Sequence, residues 1–388
     1  MKLNTLKLNM NTPISILIGE NGCGKSTVLS ELAKASVSEE TPVIAIATSI
    51  YDKFPRRNIH KNFHYMGGRL GRFLSRDAVK LALTEIDFKT KKGFSSIFRV
   101  LDYVNFEQSI GFQITGMTQH FHSKLNNNDL INEEQRADIE NALENIVTHW
   151  RSSVEYEERV MLWFNSNDRQ IDAMEQSICD LLKYEKVLRK LKLIKSIDII
   201  LSKNGNSFPL SSASSGELSL ISLFVFISTF ISENTLILID EPENSLHPKW
   251  QKEYFRKIMD LFSYYNPKII AATHSPLIVS GVQQESDVDI HKYTNDGFIL
   301  DEENNSNAED IYSDLFDIIT PASRSLSNKC ADLLNDFSGN KISLTEANEQ
   351  ISIFLEKSYD AKQQCFLKGI TDLLNQISVQ KKVDSWPN

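Results

Sequence analysis

The feature that most restricts the fold of this chain is a glycine-rich segment that lies between an apolar run and a helix-forming run. Residues 19–26 read GENGCGKS and follow the apolar run Ile14 to Ile18, while Thr27 to Ala35 has a helical pattern. Glycines let several backbone N–H groups converge on one anion, and the helix directs the positive end of its dipole at the same point. The order strand, loop, helix therefore predicts a phosphate-binding turn.

The side chains of this segment have predicted roles in holding a nucleotide. The ammonium group of Lys25 would neutralise the terminal phosphates, and the hydroxyl of Ser26 would ligate Mg²⁺. ATP with Mg²⁺ is therefore the expected ligand. The residues of this loop predicted to contact it are Asn21, Gly22, Cys23, Gly24, Lys25, Ser26 and Thr27.

Two further apolar runs end in polar residues that suit phosphate chemistry. Leu236 to Ile239 leads into Asp240, expected in the Mg²⁺ shell, and Glu241, expected to orient or deprotonate the attacking water. Lys268 to Ala272 leads to His274, expected to hydrogen-bond the terminal phosphate. Buried strands separated by helices predict an α/β fold whose mainly parallel sheet has its site at the strand carboxyl ends. The predicted catalytic residues are Glu241, His274 and Lys25, and the predicted metal ligands are Ser26 and Asp240.

A second glycine-centred loop, Ser214 to Glu217, follows a predicted β-hairpin. The runs Ile197 to Leu201 and Ser207 to Leu210 flank an Asn-Gly pair, which is a strong hairpin signal. An apolar helix is predicted from Leu218 onward. This loop is therefore presented at the start of a buried helix.

The remaining segments predict a division of the chain into four parts. Residues 1–52 and 196–300 form the two parts of the nucleotide-binding domain, and residues 53–195 form a mostly helical, partly basic insertion. Residues 301–388 form a helical C-terminal region. A strand is also predicted at Lys2 to Leu8, and a C-terminal helix at Ala308 to Phe316.

Composition restricts the compartment and the class of protein. The net charge of −9 argues against a protein that coats nucleic acid uniformly, although it permits a local basic patch. The four cysteines have no metal-binding spacing and predict reduced thiols in the cytoplasm. The longest apolar run, Leu218 to Ile231, is too short to span a bilayer, so no membrane association is expected.

Taken together, the motifs resemble the ABC-type ATPase heads of SMC-like, RecF-like and overcoming-lysogenisation-defect-like proteins. The correspondence assigns residues 19–27 to the Walker A motif, 214–217 to the signature loop, 236–241 to Walker B, 244–248 to the D-loop and His274 to the switch histidine. In that family, Walker A of one head and the signature loop of another sandwich each nucleotide. The resemblance therefore implies a homodimer, with higher assembly left open. The additional nucleotide contacts it implies are Ser214, Ser215, Gly216, Glu217 and Ser245.

One position departs from the family pattern. The family has a glutamine about forty residues after Walker A, whereas the corresponding strand of this chain ends in Thr48-Ser49-Ile50-Tyr51-Asp52. Gln113 and Gln119 are the alternatives for its role, and the sequence does not choose between them.

Within this group the segment TSIYDKFP and the helical C-terminus most resemble the ATPase subunit PtuA of Septu-type antiphage systems, some of which lie beside retrons. That resemblance implies a separate HNH-type nuclease subunit as partner. Residues 53–99 carry twelve Lys or Arg against three acidic residues, so DNA or RNA, including retron nucleic acid, is a further candidate partner. An acidic partner protein or a solvated face are the alternatives. The residues assigned to this patch are Arg56, Arg57, Arg69, Arg72 and Arg76.

An intrinsic nuclease is not expected. Asp287 and Asp289 resemble only a fragment of a Toprim carboxylate cluster and are interpreted as loop residues. The leading hypothesis is an ABC-type ATPase that dimerises around ATP and regulates a nuclease in bacterial antiphage defence. An ATP-binding scaffold with little turnover and a RecF- or SMC-like DNA-repair ATPase are the alternatives.

Overall fold

The computed structural model of the chain describes residues 12–49, 51–55, 60–67, 74–85, 94–118, 121–126, 131–152, 159–166, 172–244, 246–283, 287–294, 297–301, 324–357 and 361–384. In these ranges the strands are β1 (Ile14–Ile18), β2 (Val43–Ala47), β3 (Phe63–Gly67), β4 (Ser109–Thr115), β5 (Arg159–Asn165), β6 (Ser196–Lys203), β7 (Asn206–Pro209), β8 (Leu236–Asp240), β9 (Lys268–Ala272), β10 (Val288–Thr294) and β11 (Gly297–Leu300).

The α-helices in the same ranges are α1 (Lys25–Ser38), α2 (Leu74–Thr84), α3 (Ser95–Tyr103), α4 (His122–Asn126), α5 (Glu133–Ser152), α6 (Asp172–Lys190), α7 (Ser215–Phe230), α8 (Pro248–Phe262), α9 (Pro276–Val282), α10 (Arg324–Ser338), α11 (Leu344–Glu356) and α12 (Ala361–Asp384). In the described part of the chain, no helix combines the length and apolar character needed to cross a bilayer. The fold class is α/β with a mixed, mostly parallel central sheet, as predicted.

The chain divides into two compact units. Unit 1 comprises Met1–Val28, Pro248–Arg256 and Ile270–Asn388, and unit 2 comprises Leu29–His247 and Lys257–Ile269. In unit 1, β1 pairs in parallel with β10, and β10 pairs antiparallel with β11. All five residues of β1 are buried, as expected for a central parallel strand.

In unit 2, the central strand β2 has a parallel neighbour on each side. It pairs with β3 and with β8, and its register places Val43 opposite Leu236 and Ala47 opposite Asp240. Both β2 and β8 are buried throughout. Their carboxyl ends therefore lie side by side, which brings Thr48 next to the acidic residues that follow β8.

A separate antiparallel sheet in unit 2 has the order β5-β4-β6-β7. Its core contains Phe94, Phe112 and Phe164, whose ring centroids are 5.3 to 5.9 Å apart. The edge strand β5 alternates between exposed and buried residues along its whole length. The β6–β7 turn contains Asn204 and Gly205, both with positive φ, which confirms the predicted Asn-Gly hairpin.

Helices α10 to α12 of unit 1 share an apolar core of nine buried residues. Burial raises the pKa of the Cys330 thiol in this core to about 11. The cluster consists of Leu326, Cys330, Leu333, Phe337, Ala347, Ile351, Leu367, Ile370 and Leu374.

Most predicted elements of the nucleotide-binding domain are confirmed, but the segment 53–195 differs from the prediction. Helices α2 to α6 do predominate there, yet β3, β4 and β5 also lie in this segment. The prediction missed them because each strand pairs with a partner distant in sequence. Asp289 was also wrongly assigned to a loop, since it lies in β10 opposite Ser15. The strand at residues 2–8 and the helix at 308–316 fall outside the described residues, and the four-part division stays a prediction.

Candidate functional site

The loop between β1 and α1, in unit 1, is organised around the side chain of Lys25. This ammonium group donates hydrogen bonds to the carbonyl oxygens of Gly19 at 2.8 Å and Glu20 at 3.0 Å. Lys25 is 5% exposed, so its charge is held inside the loop. A buried ammonium group needs such partners, and an anionic ligand would supply another.

The loop also depends on the close approach of Gly19 to β10. A Cβ atom at Gly19 would lie 2.7 Å from Cβ of Tyr293 and 2.9 Å from Sγ of Cys23. Both distances are shorter than a side chain tolerates, so the position excludes residues other than glycine. Gly22 and Gly24, farther along the loop, have φ values of +85° and +100°.

These features fit the phosphates of ATP. Asn21 and Gly22 are exposed at the tip of the loop, and the loop ends at the amino terminus of the fourteen-residue helix α1. The first N–H groups of a helix have no acceptor within that helix and favour a negative charge. Ser26 is half-buried and Thr27 exposed in the first turn of α1. Ser26 therefore offers a hydroxyl oxygen of the kind that Mg²⁺ accepts.

His274 follows β9 in the same unit. The residue before it, Thr273, contacts β1 just before the loop between β1 and α1, which we call the phosphate loop (residues 19–26). The backbone N–H of Thr273 donates to the carbonyl oxygen of Leu17, two residues before Gly19. Ser275 caps helix α9 and donates a 2.6 Å hydrogen bond to Gln251 of α8. The predicted switch histidine is therefore half-buried, and the residues on either side of it are held by hydrogen bonds to β1 and α8.

In unit 2, the two predicted acidic residues lie at the end of β8 and directly after it. Asp240 is 2% exposed and lies opposite Ala47 of β2, whereas Glu241 is half-buried just beyond the strand. The backbone of Glu241 has φ +54°, in the left-handed region that residues other than glycine seldom adopt. Such outliers concentrate at functional sites, where surrounding contacts hold them.

Two residues contact Glu241: Thr48, to which the sequence analysis gave no role, and Asn244, which it placed in the D-loop without a contact to Glu241. The hydroxyl of Thr48 donates to the carbonyl oxygen of Glu241 at 2.5 Å. The side-chain amide of Asn244 donates to Oε2 of Glu241 at 3.0 Å and to Oγ1 of Thr48 at 3.1 Å. The sequence signals for these contacts were the position of Thr48 at the end of a buried strand and the place of Asn244 in the D-loop segment.

The second glycine-centred loop forms the amino terminus of the sixteen-residue helix α7. Ser214 and Glu217 form a reciprocal capping box, and Ser214 and Ser215 are exposed. Nζ of Lys203 on β6 lies 2.6 Å from Oε1 of Glu217. Burial alone would raise the pKa of Glu217, but the hydrogen bonds from Lys203 and Ser214 outweigh burial and lower the pKa below 4.5. The carboxylate therefore stays ionised at the start of the helix.

Several predicted residues cannot be compared with the structure. Ser245, Gln119 and four of the basic patch residues, Arg56, Arg57, Arg69 and Arg72, lie outside the described residues. Arg76 lies in α2, but its side chain is outside the description. Gln113 lies in β4, where its neighbours in register are Met161 and Asp198.

In the described ranges, one cluster of a histidine and two glutamates contains residue types that can ligate a metal ion. Nδ1 of His122 on α4 lies 2.5 Å from Oε1 of Glu140 on α5, and Nε2 lies 3.8 Å from Oε1 of Glu144. The group is partly exposed and is explained as a hydrogen-bonded contact between α4 and α5.

Comparison with curated proteins identifies three relatives. The chain is 29% identical to the Retron Vc95 probable ATPase of Vibrio cholerae serotype O1 biovar El Tor, over 31% of this chain and 26% of that protein. It is 23% identical to the Retron Ec83 probable ATPase of Escherichia coli, over 50% of this chain and 38% of that protein. It is 25% identical to Protein ea59 of Escherichia phage lambda, over 70% of this chain and 47% of that protein. The chain thus spans less than half the length of each relative.

Comparison with solved structures gives two weak matches. The SMC head domain of Thermotoga maritima has a TM-score of 0.22 at 16% identity, covering 26% of this chain and 38% of that one. VirB4 of Thermoanaerobacter pseudethanolicus has a TM-score of 0.29 at 13% identity, and the match covers 75% of this chain and 80% of that one. At these TM-scores neither likeness supports an argument about function.

A family profile matches residues 72–280, which include the signature loop, β8 and His274. The phosphate loop at residues 19–26 precedes the matched range, so its assignment depends on the geometry described above. Since the match covers more than half of the chain, the chain belongs to the family described as AAA domain, putative AbiEii toxin, Type IV TA system.

Proposed function

We propose that this chain is an ABC-type ATPase that binds and hydrolyses ATP with Mg²⁺, dimerises around the nucleotide and regulates a separate nuclease in antiphage defence. The observation that carries the ATPase proposal is the phosphate loop, in which the buried ammonium group of Lys25 is bound to loop carbonyls at the start of α1. This arrangement suits a triphosphate because it gathers one full positive charge and several N–H donors at one point.

Each part of the chemistry has a candidate residue. Lys25 would neutralise negative charge on the terminal phosphates, and Ser26 would offer an oxygen ligand to Mg²⁺. Asp240 is the other residue that we propose as a ligand for Mg²⁺. Glu241 accepts a proton from, or orients, the attacking water. His274 donates a hydrogen bond to the terminal phosphate. Bound Mg²⁺ would supply further charge neutralisation for the phosphates.

The dimer proposal rests on the second glycine-centred loop. Exposed Ser214 and Ser215 begin a sixteen-residue helix, whose first N–H groups favour an anion. Because Glu217 is already bound by Lys203 and Ser214, the capped helix start is preorganised. In the ABC-type arrangement this loop and Ser245 would contact nucleotide held by a second copy of the chain.

The role in defence is supported by the names of two relatives, both described as retron probable ATPases. The resemblance to PtuA of Septu-type systems adds the proposal of an HNH-type nuclease partner. The basic segment 53–99 would contact DNA or RNA. Assembly with a nuclease and binding of nucleic acid are separate proposals with separate tests.

Glu241→Gln tests the central proposal, and Glu233→Gln, at an exposed residue before β8, is the matched control. Turnover is measured as phosphate release, and mass by light scattering with and without Mg-ATP. We expect wild type and Glu233→Gln to hydrolyse ATP. Glu241→Gln should lose turnover by a factor of roughly 100 or more while forming a stable ATP-dependent dimer, because water activation alone is removed.

Equal, negligible turnover in all three proteins, with ATP-dependent assembly intact, would reject the hydrolase in favour of a scaffold. A monomer at saturating Mg-ATP, with hydrolysis blocked by Glu241→Gln, would reject the dimer. Reversal of charge at Arg69, Arg72 and Arg76 tests nucleic-acid binding. An unchanged affinity and an unchanged salt slope would reject that part of the proposal.

A further inference from the structure

The backbone at Glu241 requires an external restraint. Its φ of +54° is left-handed, and it is the first residue after β8, where the strand hydrogen bonds end. The carboxylate can act on one water only if this backbone holds a single conformation. Residues held in sparsely populated conformations persist where neighbouring contacts over-determine them.

Thr48 supplies the backbone part of that restraint. Its N–H donates to the carbonyl oxygen of Asp240 at 3.3 Å, and its hydroxyl donates to the carbonyl oxygen of Glu241 at 2.5 Å. Thr48 directly follows β2, whose register against β8 is fixed by five residue pairs. The left-handed turn at Glu241 is thereby tied to the end of a fully buried strand.

Asn244 supplies the side-chain part. Its amide group donates to Oε2 of Glu241 at 3.0 Å and to the hydroxyl oxygen of Thr48 at 3.1 Å. The Thr48 hydroxyl thus donates one hydrogen bond and accepts another. Thr48, Glu241 and Asn244 form a closed set of contacts that restrains both the backbone and the carboxylate of Glu241.

We propose that Thr48 and Asn244 are positioning residues that hold the Glu241 carboxylate in its working orientation. This inference rests on the proposed ATPase function and deepens it. Thr48 stands at the end of the strand where the family resemblance leads one to expect a glutamine. Its hydroxyl proton is directed at the carbonyl oxygen of Glu241. In this proposal the strand end acts on hydrolysis through Glu241.

The test compares Thr48→Val, Thr48→Ser and Asn244→Ala with wild type. Thr48→Val keeps the shape and removes the hydroxyl, whereas Thr48→Ser keeps the hydroxyl. Thr229→Val is the matched control because the Thr229 hydroxyl also donates to a backbone carbonyl, that of Val225 at 2.9 Å in α7. Steady-state kinetics give kcat and KM, and equilibrium titration with Mg-ATP gives Kd for Glu241→Gln and for the Thr48→Val/Glu241→Gln double variant.

We expect Thr48→Val and Asn244→Ala each to lower kcat about tenfold, because each variant removes two hydrogen bonds of the set that orients the Glu241 carboxylate. KM and Kd should change by less than about threefold, because ground-state binding is untouched. Thr48→Ser should retain most of the activity, and Thr229→Val should match wild type. A purely structural role would instead be indicated by parallel losses in kcat and affinity.

The outcomes separate this inference from the proposed function. If wild type hydrolyses ATP and Thr48→Val has the same kcat, the positioning role is overturned and the ATPase stands. If Thr48→Val fails to fold, exposed Asn244 gives the same test, and an unchanged kcat in Asn244→Ala overturns the role. If wild type and Glu241→Gln show equally negligible turnover, the proposed function fails and the positioning role fails with it.

Discussion

Replacing Gly19 with alanine should damage the phosphate loop by steric conflict. The new Cβ would lie 2.7 Å from Cβ of Tyr293, whereas carbon atoms in contact are normally about 3.5–4.0 Å apart. Rotation of the tyrosine ring cannot relieve this contact, because Cβ moves only with the backbone. That backbone is held in register with β1 by the pair Ile18 and Lys292. The end of β1 and β10 must therefore separate by roughly 1 Å.

The cost has two parts. Overpacking of this kind costs about 1–3 kcal/mol, and a side chain at the φ of +156° costs roughly 1–3 kcal/mol more. The sum is roughly 2–6 kcal/mol of local stability in unit 1. Gly205→Ala is the matched control, because Gly205 has φ +75° and a Cβ atom added there would meet nothing within 4 Å. It should cost only the conformational part, roughly 1–2 kcal/mol.

Amide hydrogen exchange resolves the effect locally, which suits a chain with two compact units whose global unfolding is not expected to be two-state. Gly19→Ala should increase exchange in the peptides of β1 and β10, and a fluorescent ATP analogue should lose measurable affinity. Gly205→Ala should alter exchange only around the β6–β7 turn and leave nucleotide affinity unchanged. Wild-type exchange and affinity in Gly19→Ala would refute the steric requirement for glycine at this position.

Three further predictions concern other parts of the chain. Because the folded-state pKa of Glu217 lies below its ordinary value of 4.5, its stabilising effect is present above pH 4.5 and is lost as the pH falls through the lower folded value; urea unfolding of wild type and Glu217→Gln should therefore converge in acid. Iodoacetamide at pH 8 should modify exposed Cys365 in the native protein and reach Cys330, whose thiol has a pKa of about 11, only after unfolding, as followed by peptide mass spectrometry. Phe112→Ala should destabilise the sheet formed by β4, β5 and β6 by about 3–5 kcal/mol, measured by amide hydrogen exchange of these strands, whereas Phe112→Leu should cost clearly less.

The strands that build the phosphate loop and the acidic site were predictable from local sequence. Residues 14–18, 43–47 and 268–272 are apolar at every position except Ser15 and Lys268, and a strand buried on both faces requires such a run. β4 and β5 were missed because their stability comes from pairing with each other and with β6. The pairing of β4 with β6 joins residues almost ninety positions apart, which no local pattern reveals.

The candidate site also has features that local sequence predicts and features that depend on distant parts of the chain. The roles of Lys25 and Glu241 follow from residue type and spacing, since a lysine in a glycine loop and a carboxylate after a buried strand suit phosphate chemistry. The contact of Thr48 with Glu241 joins residues 193 positions apart and depends on which strands are neighbours. Likewise, the need for glycine at position 19 comes from Tyr293, which only the fold places beside it.

The strict alternation along β5 has a consequence for how this segment tolerates change in length. Val160, Leu162 and Phe164 point into the core, while Met161 and Trp163 remain partly in solvent. A single inserted residue within the strand would exchange the two faces beyond it and move Phe164 into water. Natural variants should therefore gain or lose residues before Arg159 or after Asn165 rather than between them, whereas substitutions at the outward positions should be tolerated far more freely.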